Sequence, residues 1–265
     1  MKRFILYSCL LLGAIGFGAC EKIIEVELRS VPPMLVIEAA ICEGETAHVR
    51  LSHTLDFYDQ SGYPILTDAL VQLSDDRGNT EMLQPGEDRL FHGSSLIGTV
   101  GTTYTLRVVY DEKEYTSVSK MPPRVLIDSL TLYQIKFMDY PFPMLHYTDP
   151  SGEENQYYRY RMYVNDSIYN SDDEFVSSTE LFDGSVIHQV IPVMSRDDEA
   201  DALKPGDVVK IELHCLDEGA YNFFSTLGGV DMSQVNPTSN IQGGALGYFM
   251  AYIFDQQEII ADWDP

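Results

Sequence analysis

A period of two runs through most of this chain. In 47–54 (AHVRLSHT), Ala47, Val49 and Leu51 share one face, and His48, Arg50 and Ser52 the other. That spacing predicts a half-buried β-strand. Residues 34–41 (MLVIEAAI) are an apolar, β-branched run of strand length. Residues 69–83 read as strand, turn, strand, with Asp75-Asp76-Arg77-Gly78-Asn79 supplying the turn. Residues 103–120 predict a second hairpin. Tyr104, Leu106 and Val108 alternate there with Thr105 and Arg107, and the turn lies at Asp111 to Lys113. The two prolines of Met121-Pro122-Pro123-Arg124 then break the pattern, as at a domain end.

The second half continues in the same period. Strands are predicted at 125–137, 157–166, 185–193 and 207–217, with a strong turn at 203–207 (LKPGD). Residues 218–229 (EGAYNFFSTLGG) lose the period and predict a short helix ended by Gly228. The chain therefore reads as all-β. An Ig-like or transthyretin-like β-sandwich is expected over 34–122, followed by a second β-rich domain over 123–265 with little helix.

The first residues follow a different pattern. Lys2 and Arg3 precede an apolar run from Phe4 to Gly16, then small residues and Cys20. This is the layout of a signal peptide over 1–19. The run is shorter than the roughly 20 apolar residues a membrane span requires. Phe17-Gly18-Ala19-Cys20 resembles a bacterial lipobox, although Phe17 stands where leucine is usual. The expected product carries lipid on Cys20, followed by a tether over 20–33 stiffened by Pro32 and Pro33. Ordinary cleavage, with Cys20 an incidental thiol, is the alternative.

The formal net charge is −24. Such a surface repels phosphate backbones and anionic membranes, which excludes nucleic acid as a partner and leaves lipid as the means of attachment. Cys9 leaves with the leader, so only Cys42 and Cys215 remain free. A disulfide between them is open in an oxidising compartment. Two separate buried thiols in strands is the plainer reading.

Catalytic signatures are missing from the sequence. It has no G-x-S-x-G, H-E-x-x-H, C-x-x-C or phosphate-binding glycine loop, and the serines of His92-Gly93-Ser94-Ser95 lack the flanking pattern. No catalytic residue, metal ligand or cofactor is assigned. The six histidines are scattered singly. The acidic clusters at 170–175 and 195–201 lack a calcium-loop spacing and read as solvated loops, and Asp149-Pro150-Ser151-Gly152 reads as a turn. The strand at 157–166 is more suggestive. Tyr158, Tyr160 and Met162 form its apolar, inward face. Tyr157, Arg159, Arg161 and Tyr163 then face outward, as candidate ligand-binding residues or as partners of neighbouring strand carboxylates.

Several stretches, taken in order, resemble a known family. They are LVIEAAI after the lipobox, DALVQLSDDRGNTEML followed by GTVGTTYTLRV and MPPR, DPSGEENQYYRYRM, and SNIQGGALGYFMAY near the end. Together they resemble the Bacteroidota lipoproteins grouped as domain of unknown function 4249 (DUF4249). The resemblance implies an outer-membrane lipoprotein, often encoded near a TonB-dependent transporter, and carries over no catalytic residue. The expected role is a non-enzymatic accessory that helps capture a peptide, glycan or metal chelate. A structural surface module and an unrecognised hydrolase are the other readings. The stretch EKIIEVE after Cys20 is only a weak match to acidic surface-export signals, so the membrane face stays open. Within SNIQGGALGYF, Gly243, Gly244 and Gly247 allow close backbone approach, which favours a closing role over a partner contact.

Overall fold

Alternating side chains build strands that bury one face, and here most of those faces share one main core. The computed structural model describes residues 32–55, 62–136, 138, 140–152, 156–169, 174–179, 183–193, 203–227 and 236–263. The first seven strands are β1 (Leu35–Cys42), β2 (Thr46–His53), β3 (Leu70–Asp75), β4 (Thr80–Pro85), β5 (Phe91–Ile97), β6 (Thr103–Tyr110) and β7 (Lys113–Lys120). Next come β8 (Ile127–Tyr133), β9 (Phe142–Thr148), β10 (Tyr157–Val164), β11 (Ser167–Ile168), β12 (Phe175–Ser178), β13 (Val186–Val190) and β14 (Val208–Leu216). A helix, α1 (Glu218–Leu227), and the long strand β15 (Leu246–Ile260) complete the fold. The all-β expectation holds. The hairpin turns fall where the glycine and Asx residues placed them, with Gly78, Asp111 and Glu112 all at positive φ.

Twelve strands form one continuous sheet in the order β11-β10-β14-β15-β1-β2-β5-β4-β3-β6-β7, with β12 also on β10. β8, β9 and β13 form a separate three-stranded sheet in the order β13-β9-β8. The large sheet folds over, so that Ile37, Val49 and Phe91 on one side and Leu73, Leu106 and Tyr115 on the other enter the same core. That core continues through Tyr147, Tyr158, Tyr160, Leu213 and Ile253. Tyr158, Tyr160 and Met162 face inward as the alternation required, and all three are buried.

The division expected at 122/123 falls inside one compact unit, residues 33–265. The cause is β15. Its first half, Leu246 to Tyr252, pairs in parallel with β1. Its second half, Ile253 to Ile260, pairs antiparallel with β14. One strand thus belongs to both halves of the chain. Gly247 makes the parallel pairing possible, since a Cβ there would lie 2.0 Å from the Ile37 carbonyl oxygen. Side-chain bonds reinforce the seam. Ser117 Oγ donates to the Asn240 carbonyl (2.8 Å), and the Asn240 amide both donates to and accepts from the Phe249 backbone (2.8 and 2.9 Å). The glycine-rich tail therefore closes the fold.

α1 begins where Asp217 caps it. Asp217 Oδ1 accepts from the Ala220 amide (2.9 Å), while Oδ2 accepts from Ser119 Oγ (2.5 Å) and the Lys120 amide (3.2 Å). The helix lays Ala220, Phe223 and Phe224 on Ala40, Leu216 and Met250, forming a second small core on the outer face of β1, β14 and β15. Cys42 and Cys215 are both free and buried. Cys215 lies in the main core, whereas Cys42 shares the opposite face with Ala40, so the two thiols point apart.

Candidate functional site

The outward face of β10 continues across β14 and β15. Register places Arg159 beside His214, Arg161 beside Glu212 and Tyr163 beside Lys210. His214 in turn lies beside Phe254, and Glu212 beside Gln256. The result is a polar and aromatic patch bordered by α1.

Each expected ligand-binding residue takes a distinct position. Arg159 is committed internally. Its guanidinium makes two bonds to the Glu174 carboxylate, at 2.6 and 2.5 Å, and lies 3.9 Å from the centre of the Phe224 ring. It is also buried, so it fits the carboxylate-partner alternative rather than ligand contact. Tyr157 stacks on Tyr221 of α1, with ring centres 4.9 Å apart. Tyr163 donates its hydroxyl to Glu212 Oε2 (3.2 Å), and its ring lies beneath the Lys210 ammonium at 4.2 Å. Arg161 is half-buried, with its guanidinium 5.9 Å from the Tyr163 ring centre. Among the described residues it has no carboxylate partner within ion-pair distance.

Behind these lie residues that the sequence reading passed over. His214 donates through Nε2 to Glu212 Oε2 at 3.0 Å, stacks against Tyr252 at 5.1 Å and touches Phe254. Its Nδ1 is buried without a hydrogen-bond partner among the described residues. Burial holds the His214 pKa below the ordinary histidine value, although Glu212 pulls the other way. Burial pushes the Glu212 carboxyl up, but the bonds from His214 and Tyr163 and the charges of His214 and Lys210 outweigh it, leaving its pKa lowered. The network therefore rests as neutral His214 beside anionic Glu212. Burial raises the Tyr163 phenol and the Cys42 thiol, so both stay protonated at neutral pH. Strand 207–217 did hold the signal for these residues. Lys210, Glu212 and His214 alternate against Val209, Ile211 and Leu213, a polar face on a strand whose other face is core.

The other candidates resolve as structural. Ser94 and Ser95 lie on β5 and are spent on Glu81, whose Oε2 accepts from both backbone amides (3.0 and 2.9 Å) and from Ser95 Oγ (2.7 Å). Burial raises the Glu81 carboxyl, yet these bonds outweigh it and its pKa is lowered. Asp149 is buried and accepts the Tyr158 hydroxyl at 2.7 Å, ahead of the turn at Ser151-Gly152. The acidic stretch 195–201 lies outside the described residues, as does Cys20, and of 170–175 only Glu174 and Phe175 lie within them. Among the described residues no group of three or more His, Cys, Asp or Glu side chains could hold a metal ion. No described helix is long and apolar enough to cross a membrane.

No curated protein matches the chain. The family model described as Domain of unknown function (DUF4249) matches residues 21–258, which takes in β1 to β14, α1 and β15 as far as Glu258, and the chain belongs to that family.

Proposed function

We propose that this protein is a lipid-anchored, non-enzymatic binding protein of the outer membrane, held through Cys20 and acting beside a TonB-dependent transporter. The observation that supports a binding role is Arg161. In a chain of net charge −24, a half-buried arginine without a carboxylate partner among the described residues is out of keeping with its surroundings. It sits on a rigid sheet with Tyr163, Lys210 and Glu212 around it. A planar guanidinium reads carboxylates through two parallel bonds, and a neighbouring tyrosine adds flat apolar area. The ligand class is thus a carboxylate-bearing nutrient: a peptide, an acidic glycan or a metal chelate. Attachment rests on the lipobox-like Phe17-Gly18-Ala19-Cys20, and the transporter on the family resemblance.

The testing experiment is a tagged pull-down from detergent-solubilised outer membrane, run with wild type, Cys20→Ala and Arg161→Ala. Wild type should bring down a β-barrel transporter in stoichiometric amount. Cys20→Ala should leave the membrane fraction, and Arg161→Ala should keep the barrel while losing bound ligand. A Cys20→Ala protein that stays firmly in the membrane would overturn the anchor, and a wild type without a barrel would overturn the accessory role.

A further inference from the structure

The outer face of the small sheet carries two histidines that meet edge to edge. His146 on β9 and His188 on β13 are directly opposed in register. Their Nδ1 atoms are 2.6 Å apart, and their rings meet at 70°. One bare nitrogen and one N–H must face each other at that distance, since two lone pairs would repel.

One arrangement of protons satisfies every surrounding contact. Thr131 Oγ1 lies 2.8 Å from His146 Nε2 and 3.4 Å from the Met144 carbonyl oxygen, so with the ring proton on Nε2 the hydroxyl accepts from the ring and donates to the carbonyl. In that arrangement His146 presents a bare Nδ1 lone pair outward. His188 holds its proton on Nδ1 and gives it to that lone pair. The arrangement matches a metal-ligating histidine, whose second nitrogen donates to an oxygen that fixes the ring.

We propose that His146 and His188 form a two-imidazole chelate for a divalent late transition ion, Cu2+, Ni2+ or Zn2+, with water completing the shell. The imidazole donor set selects these ions over Ca2+ and Mg2+, and Cu2+ binds tightest in the usual order. Two nitrogens at about 2.0 Å from one tetrahedral ion are about 3.3 Å apart. The pair must open by less than an ångström, and His188 is exposed at its sheet edge and free to move that far. The proton balance is simple. The His188 Nδ1 proton leaves to solvent as Nε2 takes one up, so both ligands bind as neutral imidazoles. The Asp128 carboxylate, which accepts from Thr148 Oγ1 at 3.1 Å, adds negative charge nearby and favours the cation.

A second cross-strand pair supplies the control. His48 and His92 are also opposed in register, but His92 Nε2 is committed to Asp88 at 2.9 Å. The test is calorimetric titration of detergent-solubilised full-length protein with Ni2+ and with Cu2+, joined to electron paramagnetic resonance of the Cu2+ form. One equivalent should bind, and the spectrum should show two imidazole nitrogens. His188→Ala should lower affinity at least tenfold with an unchanged circular dichroism spectrum, and His92→Ala should change neither. Binding that survives His188→Ala, binding lost in His92→Ala, or no bound equivalent in wild type would each overturn the proposal. None of these outcomes depends on Arg161 or on the transporter.

Discussion

Arg159 and His214 show how much of the outer face is structural. Removing the Arg159 side chain leaves the Glu174 carboxylate nearly buried and unpaired, and strips a cation from the Phe224 ring. Arg159→Ala should cost about 3–5 kcal/mol in urea unfolding, and Arg159→Lys less, because an ammonium cannot make the second parallel bond. A loss below about 1 kcal/mol for the alanine variant would show that the pair contributes little. His214 gives a pH prediction. Its folded pKa lies below the unfolded value of 6.5, so the unfolded chain binds more protons in acid. Its share of stability is complete above 6.5 and is lost as pH falls from there through the folded pKa. His214→Gln keeps a donor for Glu212 yet removes the titration. It should flatten the dependence of stability on pH between 7 and 5.5, by at most about 1.4 kcal/mol per pH unit. Equal slopes in wild type and variant would exclude this role. At this scale, period two made the two faces of β10 legible. It could not show that Arg159 meets Glu174 or that His146 meets His188, because those partners lie 15 and 42 positions apart in the chain and their meeting leaves no local pattern.

Among the elements, strands with β-branched alternation were legible and the others were not. β5 contains Gly93-Ser94-Ser95, which has no β-branched residue, and its pairing is held by Glu81 from β4 instead. β9 carries Pro143 near its start, a residue that ordinarily argues against a strand. Tertiary packing overrides both local signals. β15 is the element on which the sheet turns, and Gly247 is its sensitive point. Its φ is +102°, and any Cβ would collide with the Ile37 carbonyl across the parallel pair. Gly247→Ala should destabilise by about 2–4 kcal/mol, combining backbone strain with forced separation of β1 and β15. Gly44 is the matched control. It also has positive φ, but a Cβ there meets nothing within 4 Å, so Gly44→Ala carries the strain alone. Similar losses at the two positions in chemical denaturation would remove the steric argument.

For the whole molecule, the shared strand decides how the protein folds. The prolines at 122 and 123 mark a real change of strand group, which is why the sequence reads as two domains there. What no local signal records is that residues more than a hundred positions later return to pair with β1. The return is anchored at many points. Ser119 Oγ accepts from the Ala251 amide at 2.7 Å, the Ile127 amide donates to Asp255 at 2.8 Å, and Arg124 pairs with Glu43 while reaching the Phe254 carbonyl. A first half made alone would expose one full edge of β1, an apolar strand whose polar backbone groups then lack partners. Residues 34–122 expressed by themselves should therefore fail to give a cooperative thermal transition and should aggregate, whereas residues 33–265 should unfold in a single step seen alike by circular dichroism and tyrosine fluorescence. A fragment of 34–122 that melts cooperatively, or a longer chain that melts in two separated steps, would mean that each half holds its own stability and that β15 only joins them. In the single-step outcome, the face bearing Arg161 and strand β1 belong to one cooperative unit, with no separately melting boundary between β1 and β15.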